Sequence, residues 1–189
     1  SIWSDHKALT QLALDVLATF RMLREALARA QVRHVFIGAL PVLAWGRIRT
    51  TTDLDLVIVA DRVALEALEA ELNFAGATRG KATGPAEPSD EVPDLAAWWH
   101  SAAPGAPAVR IDVFLGKTAF ERAVLADPRE AEVLGERVPL ARPEASIIYK
   151  LLASRARDID DVESIFTNRA AAGAGLDWSF LDEWSEAWG

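Results

Sequence analysis

The stretch IGALPVLAWGRIRTTTDLDLVI, from Ile37 to Ile58, decides how this chain is read. Its last part runs into DLDLVIV, Asp53 to Val59, which alternates as a strand does. Asp53, Asp55, Val57 and Val59 fall on one side, with Leu54, Leu56 and Ile58 on the other. Two carboxylates thus share a face, about 6.6 Å apart along the backbone. Their mutual repulsion is relieved most directly by a divalent cation, and hard oxygen donors select magnesium or manganese over zinc. Upstream, His34 to Ile37 reads as a short buried strand running into Gly38, and Ala39 to Trp45 as a helix with Pro41 in its first turn. A glycine at that turn lets backbone amides approach phosphates. Arg47 and Arg49 either add positive charge there or pair with carboxylates.

Working outward, Ser4 reads as the N-cap of an amphipathic helix over 5–30, with Leu9, Leu12, Val16, Phe20, Leu23 and Leu27 on its inner stripe. Asp61 caps a predicted helix from Arg62 to Leu72, and Phe74 to Thr78 returns as a strand. Residues 79–107, rich in Gly, Ala and Pro, read as an irregular insertion with one short element. In it Trp98 and Trp99 serve as packing anchors or as a platform for a base. AVRIDVFL, Ala108 to Leu115, alternates as a strand, Thr118 caps a helix from Ala119 to Ala126, and Glu132 to Leu140 forms a hairpin around Gly135. Helices are predicted over Pro143 to Arg155, Asp158 to Ala171 and Trp178 to Trp188. The fold class expected is α/β (α+β), a small mixed twisted sheet flanked by helices with a C-terminal helical tail. The 189 residues form one domain: a core over 1–140, with its insertion at about 79–107, and a helical segment over 141–189 packed on it.

Asp112 sits among Ile111, Val113, Phe114 and Leu115, where a charge needs a reason. If its strand lies beside the Asp53–Val59 strand, three carboxylates meet and can hold two ions about 3.5 to 4 Å apart, a geometry that serves phosphoryl or nucleotidyl transfer.

Taken together, the Ile37 to Ile58 stretch resembles the signature of the DNA polymerase beta-like nucleotidyltransferase superfamily: a Gly-Gly or Gly-Ser pair, a short helix, then an RxTxDxD strand. Arg49, Thr51, Asp53 and Asp55 match the latter part, and RIDVFLG places Asp112 where the family has its third metal-binding aspartate. RPEASIIYKLLASRARDIDDVESIF, Arg142 to Phe166, is similar to the helical segment of small bacterial members related to abortive-infection and toxin-antitoxin toxins. The resemblance implies a nucleotidyltransferase fold and an enzyme that moves a nucleoside monophosphate from a nucleoside triphosphate such as ATP to a hydroxyl acceptor, releasing pyrophosphate. It implies Mg2+ or Mn2+ on Asp53, Asp55 and Asp112, nucleotide contacts by Gly38, Ala39, Arg49 and Thr51, Lys150 facing the phosphates, and Asp158 as a functional acid. The acceptor it implies is an RNA end such as tRNA, a protein or a small molecule, and the toxin-like relatives imply an antitoxin as partner. One departure is plain: Ala39 stands where the family carries Gly or Ser, so a hydroxyl is missing. That departure keeps a catalytically silent fold, binding a nucleotide or a partner protein, as the alternative; an antitoxin-like scaffold is a third reading and needs the carboxylates apart in space.

The absence of cysteine removes disulfides, thiol nucleophiles and thiolate zinc sites. A net charge of −8 works against broad nucleic-acid binding. No run spans a bilayer and no secretory signal is read, so no membrane partner and a cytoplasmic location are expected. Asp160 and Asp161 read as acidic residues that offset a helix dipole.

Overall fold

The computed structural model describes residues 2–80 and 94–188. Helix α1 (Ile2–Ala30) leads into strand β1 (His34–Ile37), helix α2 (Ala39–Trp45), β2 (Asp53–Val59), α3 (Arg62–Phe74) and β3 (Thr78–Arg79). Then come β4 (Asp94–His100), β5 (Val109–Gly116), α4 (Ala119–Ala126), β6 (Arg129–Val133) and β7 (Glu136–Leu140). Helices α5 (Pro143–Ala153), α6 (Ala156–Ala171) and α7 (Trp178–Trp188) close the chain. Among the described residues the strands form a seven-stranded sheet in the order β3-β4-β5-β2-β1-β7-β6. The sheet is mixed: β2 runs parallel to β5 and β1 parallel to β7, and the other neighbours are antiparallel. This is the expected α/β class with its helical tail. Among the described residues no helix is long and apolar enough to cross a membrane.

The alternation of β2 divides the molecule into its layers. Leu54, Leu56 and Ile58 are fully buried with Phe20, Leu23 and Leu27 of α1 and Leu68 and Leu72 of α3. Each such side chain contributes about 1.5–3 kcal/mol relative to exposure. On the opposite face Val57 packs with Phe120 and Val124 of α4, Ile147 and Ile148 of α5, Ile165 of α6 and Leu181 of α7. Asp53 and Asp55 share the Val57 face, so the fold turns both carboxylates toward the side covered by the C-terminal helices.

Local chemistry fixes the element ends. Asp61 Oδ1 accepts from the Val63 amide at 2.9 Å and starts α3. Thr118 and Glu121 form a reciprocal capping box at α4. The β6–β7 turn places Leu134 at φ 54 and Gly135 at φ 77, the two positive angles that a two-residue hairpin with right-handed strand twist requires.

Four expectations are corrected. Helix α1 already includes Ser4, because neither Ile2 nor Trp3 breaks a helix, so the cap expected at Ser4 is not the helix start. Helix α3 continues to Phe74, and the strand expected from Phe74 shrinks to Thr78–Arg79. The Ala75 amide donates to Glu71 O at 3.0 Å and Gly76 turns at φ 88, so the chain stays coiled until Ala77. The irregular segment expected over 79–107 contains a full strand, β4, hidden because Ala96, Ala97 and Trp98 are buried in succession and show no alternation; residues 81–93 lie outside the described residues. Helix α5 stops at Ala153, with Ser154 left-handed at φ 50.

Trp98 is a core residue with the Arg79 guanidinium 5.3 Å from its ring, the packing anchor of the two readings given above. Helix α7 docks through Trp184, whose ring lies 5.1 Å from that of Phe120.

Candidate active site

Strand register builds the site. β5 lies beside β2 with Asp112 opposite Asp55 and Arg110 opposite Asp53. On the other edge of β2, Ile37 is the register partner of Asp55, which sets Gly38 against that carboxylate. A Cβ on Gly38 would stand 2.1 Å from Asp55 Oδ2, and Gly38 holds φ +69 with ψ −120, outside the range of L side chains. Both facts require glycine. Gly38, Ala39, Arg49, Thr51, Asp53, Asp55 and Asp112 border a cavity of about 280 Å³, closed by Arg110, Phe114, Lys150, Arg155 and Arg157.

The carboxylates differ in their surroundings. Asp53 Oδ1 accepts from Thr52 Oγ1 at 2.9 Å, and Thr51 Oγ1 donates to the Asp53 carbonyl at 2.8 Å. Asp112 Oδ1 accepts from Arg110 Nε at 2.7 Å. Burial raises the Asp112 pKa against the opposing pull of that bond. Asp55 is pushed up to about 7, first by burial and then by repulsion from Asp53 and Asp112, with Lys150 and Arg110 opposing. Repulsion among the three carboxylates thus falls mainly on Asp55, where β2 and β5 meet. The donor set suits a hard divalent cation: three carboxylates, with no imidazole or thiolate among the lining residues. It is not a closed cage, for among the described residues no three His, Asp or Glu side chains are grouped tightly enough to hold an ion as they stand.

Cations anchored on carboxylates of α6 also line the cavity. Lys150 Nζ, on α5, donates to Asp158 Oδ1 at 3.2 Å and lies 3.2 Å from Asp161 Oδ2. Asp158 also accepts from Arg155 Nε at 2.8 Å and from the Arg155 amide at 3.1 Å. Burial alone would raise the Asp158 pKa, but its bonds from Arg155 and Lys150 hold it below the ordinary value. Asp161 faces Arg47 Nε at 3.1 Å and Arg49 Nε at 3.3 Å, the latter an ion pair without hydrogen-bond alignment. Both aspartates are fully buried.

The structure thus brings Gly38, Ala39, Arg49, Thr51, Asp53, Asp55, Asp112 and Lys150 around one cavity, and sets Asp158 behind Lys150 rather than in the lining. Asp55 and Asp112 are register neighbours, so the separation that an antitoxin-like scaffold needed is not found. Sequence reasoning missed Arg110, Phe114, Arg155 and Arg157, and gave Asp161 no role beyond the helix dipole. Arg110 was legible: two positions before Asp112 on one strand, it must share that face. Asp161 was not, because its partners Arg47 and Arg49 are more than a hundred residues away.

No family model matches the chain, and no curated protein matches it. Solved structures do. An antigenic nucleotidyltransferase-like protein from Paracoccidioides brasiliensis superposes with a TM-score of 0.52 at 18% identity, over 82% of this chain and 76% of that one. ANT(2'')-Ia in complex with adenylyl-2''-tobramycin gives a TM-score of 0.56 at 16% identity, over 95% of this chain and 99% of that one. The solution structure of the same antibiotic-resistance factor gives 0.52 at 18% identity, over 95% and 91%. The chain has the nucleotidyltransferase fold.

Proposed function

We propose that this protein is a metal-dependent nucleotidyltransferase that moves a nucleoside monophosphate from a nucleoside triphosphate to a hydroxyl acceptor, with release of pyrophosphate. One observation carries the reading: a single cavity is lined by Asp53, Asp55 and Asp112 together with Arg49, Arg110, Lys150, Arg155 and Arg157. Carboxylates and cations lining one cavity are what a triphosphate with its counter-ions requires, since the reaction is mostly positioning and charge compensation. Its occurrence on a nucleotidyltransferase fold supports the same chemistry.

Asp53, Asp55 and Asp112 would hold magnesium or manganese. Such an ion, when bound, supplies Lewis-acid polarisation of a phosphoryl oxygen and lowers the pKa of a coordinated hydroxyl. The chain's own residues do the rest. Lys150, Arg49, Arg155 and Arg157 bind and orient the phosphates. Thr52 holds the Asp53 carboxylate and Thr51 the Asp53 backbone. Gly38 lets the β1–α2 turn approach the carboxylates without a side chain between. Asp112, on β5, would help take up the proton of the acceptor hydroxyl.

ATP as donor and a small-molecule hydroxyl as acceptor are favoured, because ANT(2'')-Ia, which aligns over nearly the whole of both chains, was solved with an adenylylated tobramycin. The test is pyrophosphate release from each nucleoside triphosphate with Mg2+ or Mn2+, offered small hydroxyl compounds, total RNA and cell extract. Asp53→Ala and Asp55→Ala are expected to abolish release by roughly 10²-fold or more while the far-ultraviolet spectrum stays native. Full activity in either variant would sink the metal-site reading. Nucleotide binding without turnover under every condition would favour the silent fold, which Ala39 motivates.

A further inference from the structure

Asp161 has no contact with the cavity, yet it organises one wall of it. It is fully buried in α6 and faces three cations: Arg47 Nε at 3.1 Å, Lys150 Nζ at 3.2 Å and Arg49 Nε at 3.3 Å. Two of them, Arg49 and Lys150, line the same cavity as Asp53 and Asp55. The two are not tethered alike. Lys150 has a second carboxylate in Asp158, and Arg47 has Asp160 at 3.6 Å. Among the described residues Arg49 has Asp161 alone as a carboxylate partner; its other bond is from Nη1 to the Thr50 carbonyl at 3.2 Å.

A guanidinium beside a cluster of repelling carboxylates has an obvious alternative position, on those carboxylates. Coulomb attraction at a few ångströms in a partly dry cavity is worth several kcal/mol before desolvation is subtracted. Arg110 already takes such a position on Asp112, and the buried Asp161 carboxylate competes for Arg49.

We propose that Asp161 is a positioning residue that tethers Arg49, with Lys150, to the phosphate-facing wall and so keeps Asp53 and Asp55 open to a divalent cation. The inference rests on the nucleotidyltransferase reading and adds a device to it: charge sorting inside one small cavity. Without Asp161, Arg49 turns onto Asp53 or Asp55. The site then loses affinity for the cation and for the triphosphate together, although Asp161 touches neither.

The experiment uses the full chain in three variants, Asp161→Asn, Arg49→Gln and the two combined. Mn2+ binding is read by electron paramagnetic resonance without nucleotide, alongside a crystal structure of Asp161→Asn. Asp161→Asn is expected to weaken Mn2+ binding about tenfold, the scale of outer-shell effects on metal sites. Its crystal structure is expected to show the Arg49 guanidinium on Asp53 or Asp55. Adding Arg49→Gln should restore Mn2+ binding to within about threefold of Arg49→Gln alone, because no cation is left to collapse. A merely structural Asp161 would give no such rescue. Unchanged Mn2+ binding in Asp161→Asn, or a double variant as weak as Asp161→Asn, overturns the proposal.

Should Asp161→Asn not fold, the double variant, which removes a charge from each side and strands fewer buried ions, is compared with Arg49→Gln. Equal Mn2+ binding upholds the proposal, and a tenfold loss overturns it. A native protein that binds no Mn2+ sinks the functional reading instead; the position of Arg49 in the Asp161→Asn crystal then decides the tether by itself.

Discussion

Arg110 Nε donates to Asp112 Oδ1 at 2.7 Å, and the same guanidinium lies 5.4 Å from the ring of Trp99. One arginine is held from both sides, by a carboxylate of the site and by an aromatic face on the neighbouring strand. The bond lowers the Asp112 pKa against burial.

Arg110→Gln should therefore let the Asp112 pKa rise further. The acid limb of a pH–rate profile would move to higher pH, because catalysis needs the ionised carboxylate. Measuring kcat/KM against pH, with a carboxyl carbon titration of Asp112 by nuclear magnetic resonance, checks this. An unmoved limb would separate Asp112 from the rate-determining ionisation.

Asp55 predicts how stability depends on pH. Its carboxyl sits at about 7 in the folded protein, against 3.8 for the free group. Between those values the folded chain holds a proton that the unfolded chain has released. The stabilisation is thus complete below about 4 and is lost as pH rises through about 7. Part of Asp55 remains accessible to solvent from the cavity, so water screens the penalty and the loss is about 1–3 kcal/mol. Metal-free protein in chelator should show a falling Tm from pH 5 to 8, and Asp55→Asn should flatten that slope. Asp158 works in the opposite sense, its depressed pKa adding stability that is lost only in stronger acid, so starting at pH 5 keeps the two apart.

Phe120 joins the C-terminal helix to the sheet. It is almost fully buried, with the rings of Tyr149 at 4.9 Å, Trp184 at 5.1 Å and Phe180 at 6.4 Å. Phe120→Ala should cost about 3–5 kcal/mol in denaturant unfolding and alter Trp184 fluorescence as α7 loosens. A loss under 1 kcal/mol would mean that α7 docks without this aromatic cluster.

Much of this arrangement was readable in the sequence where patterning is local and unambiguous. β1, α2, β2, α4 and α7 follow the predicted bounds; period-two alternation, a glycine turn and the Thr118 cap each act within a few residues. β4 was not readable: its successive buried alanines and Trp98 imitate no period, and its strand character comes from pairing with β5. The carboxylate side of the site followed from alternation plus the resemblance. The cation side followed only in part: the resemblance implied Arg49 and Lys150 but not Arg155 or Arg157, and Asp161 gains Arg47 and Arg49 only when α6 folds back against the segment between α2 and β2. Composition cannot report contacts made by tertiary folding.

Gly38 offers the sharpest single substitution. Its positive φ with ψ −120 already excludes an L side chain, and the missing Cβ space is filled by Asp55 Oδ2 at 2.1 Å. Gly38→Ala must both strain the β1–α2 turn and displace the Asp55 carboxylate. Strain of this kind costs about 1–3 kcal/mol, and the displaced carboxylate no longer faces Asp112 in register. Activity and Mn2+ binding should fall together, while Ala39→Gly, one residue on at a position without that clash, should leave both within a few fold of native. Thermal unfolding and Mn2+ titration of the two variants make the comparison. Equal behaviour of Gly38→Ala and native protein would show that the turn can move away from Asp55, and that the close approach of turn to carboxylate is not needed by the site.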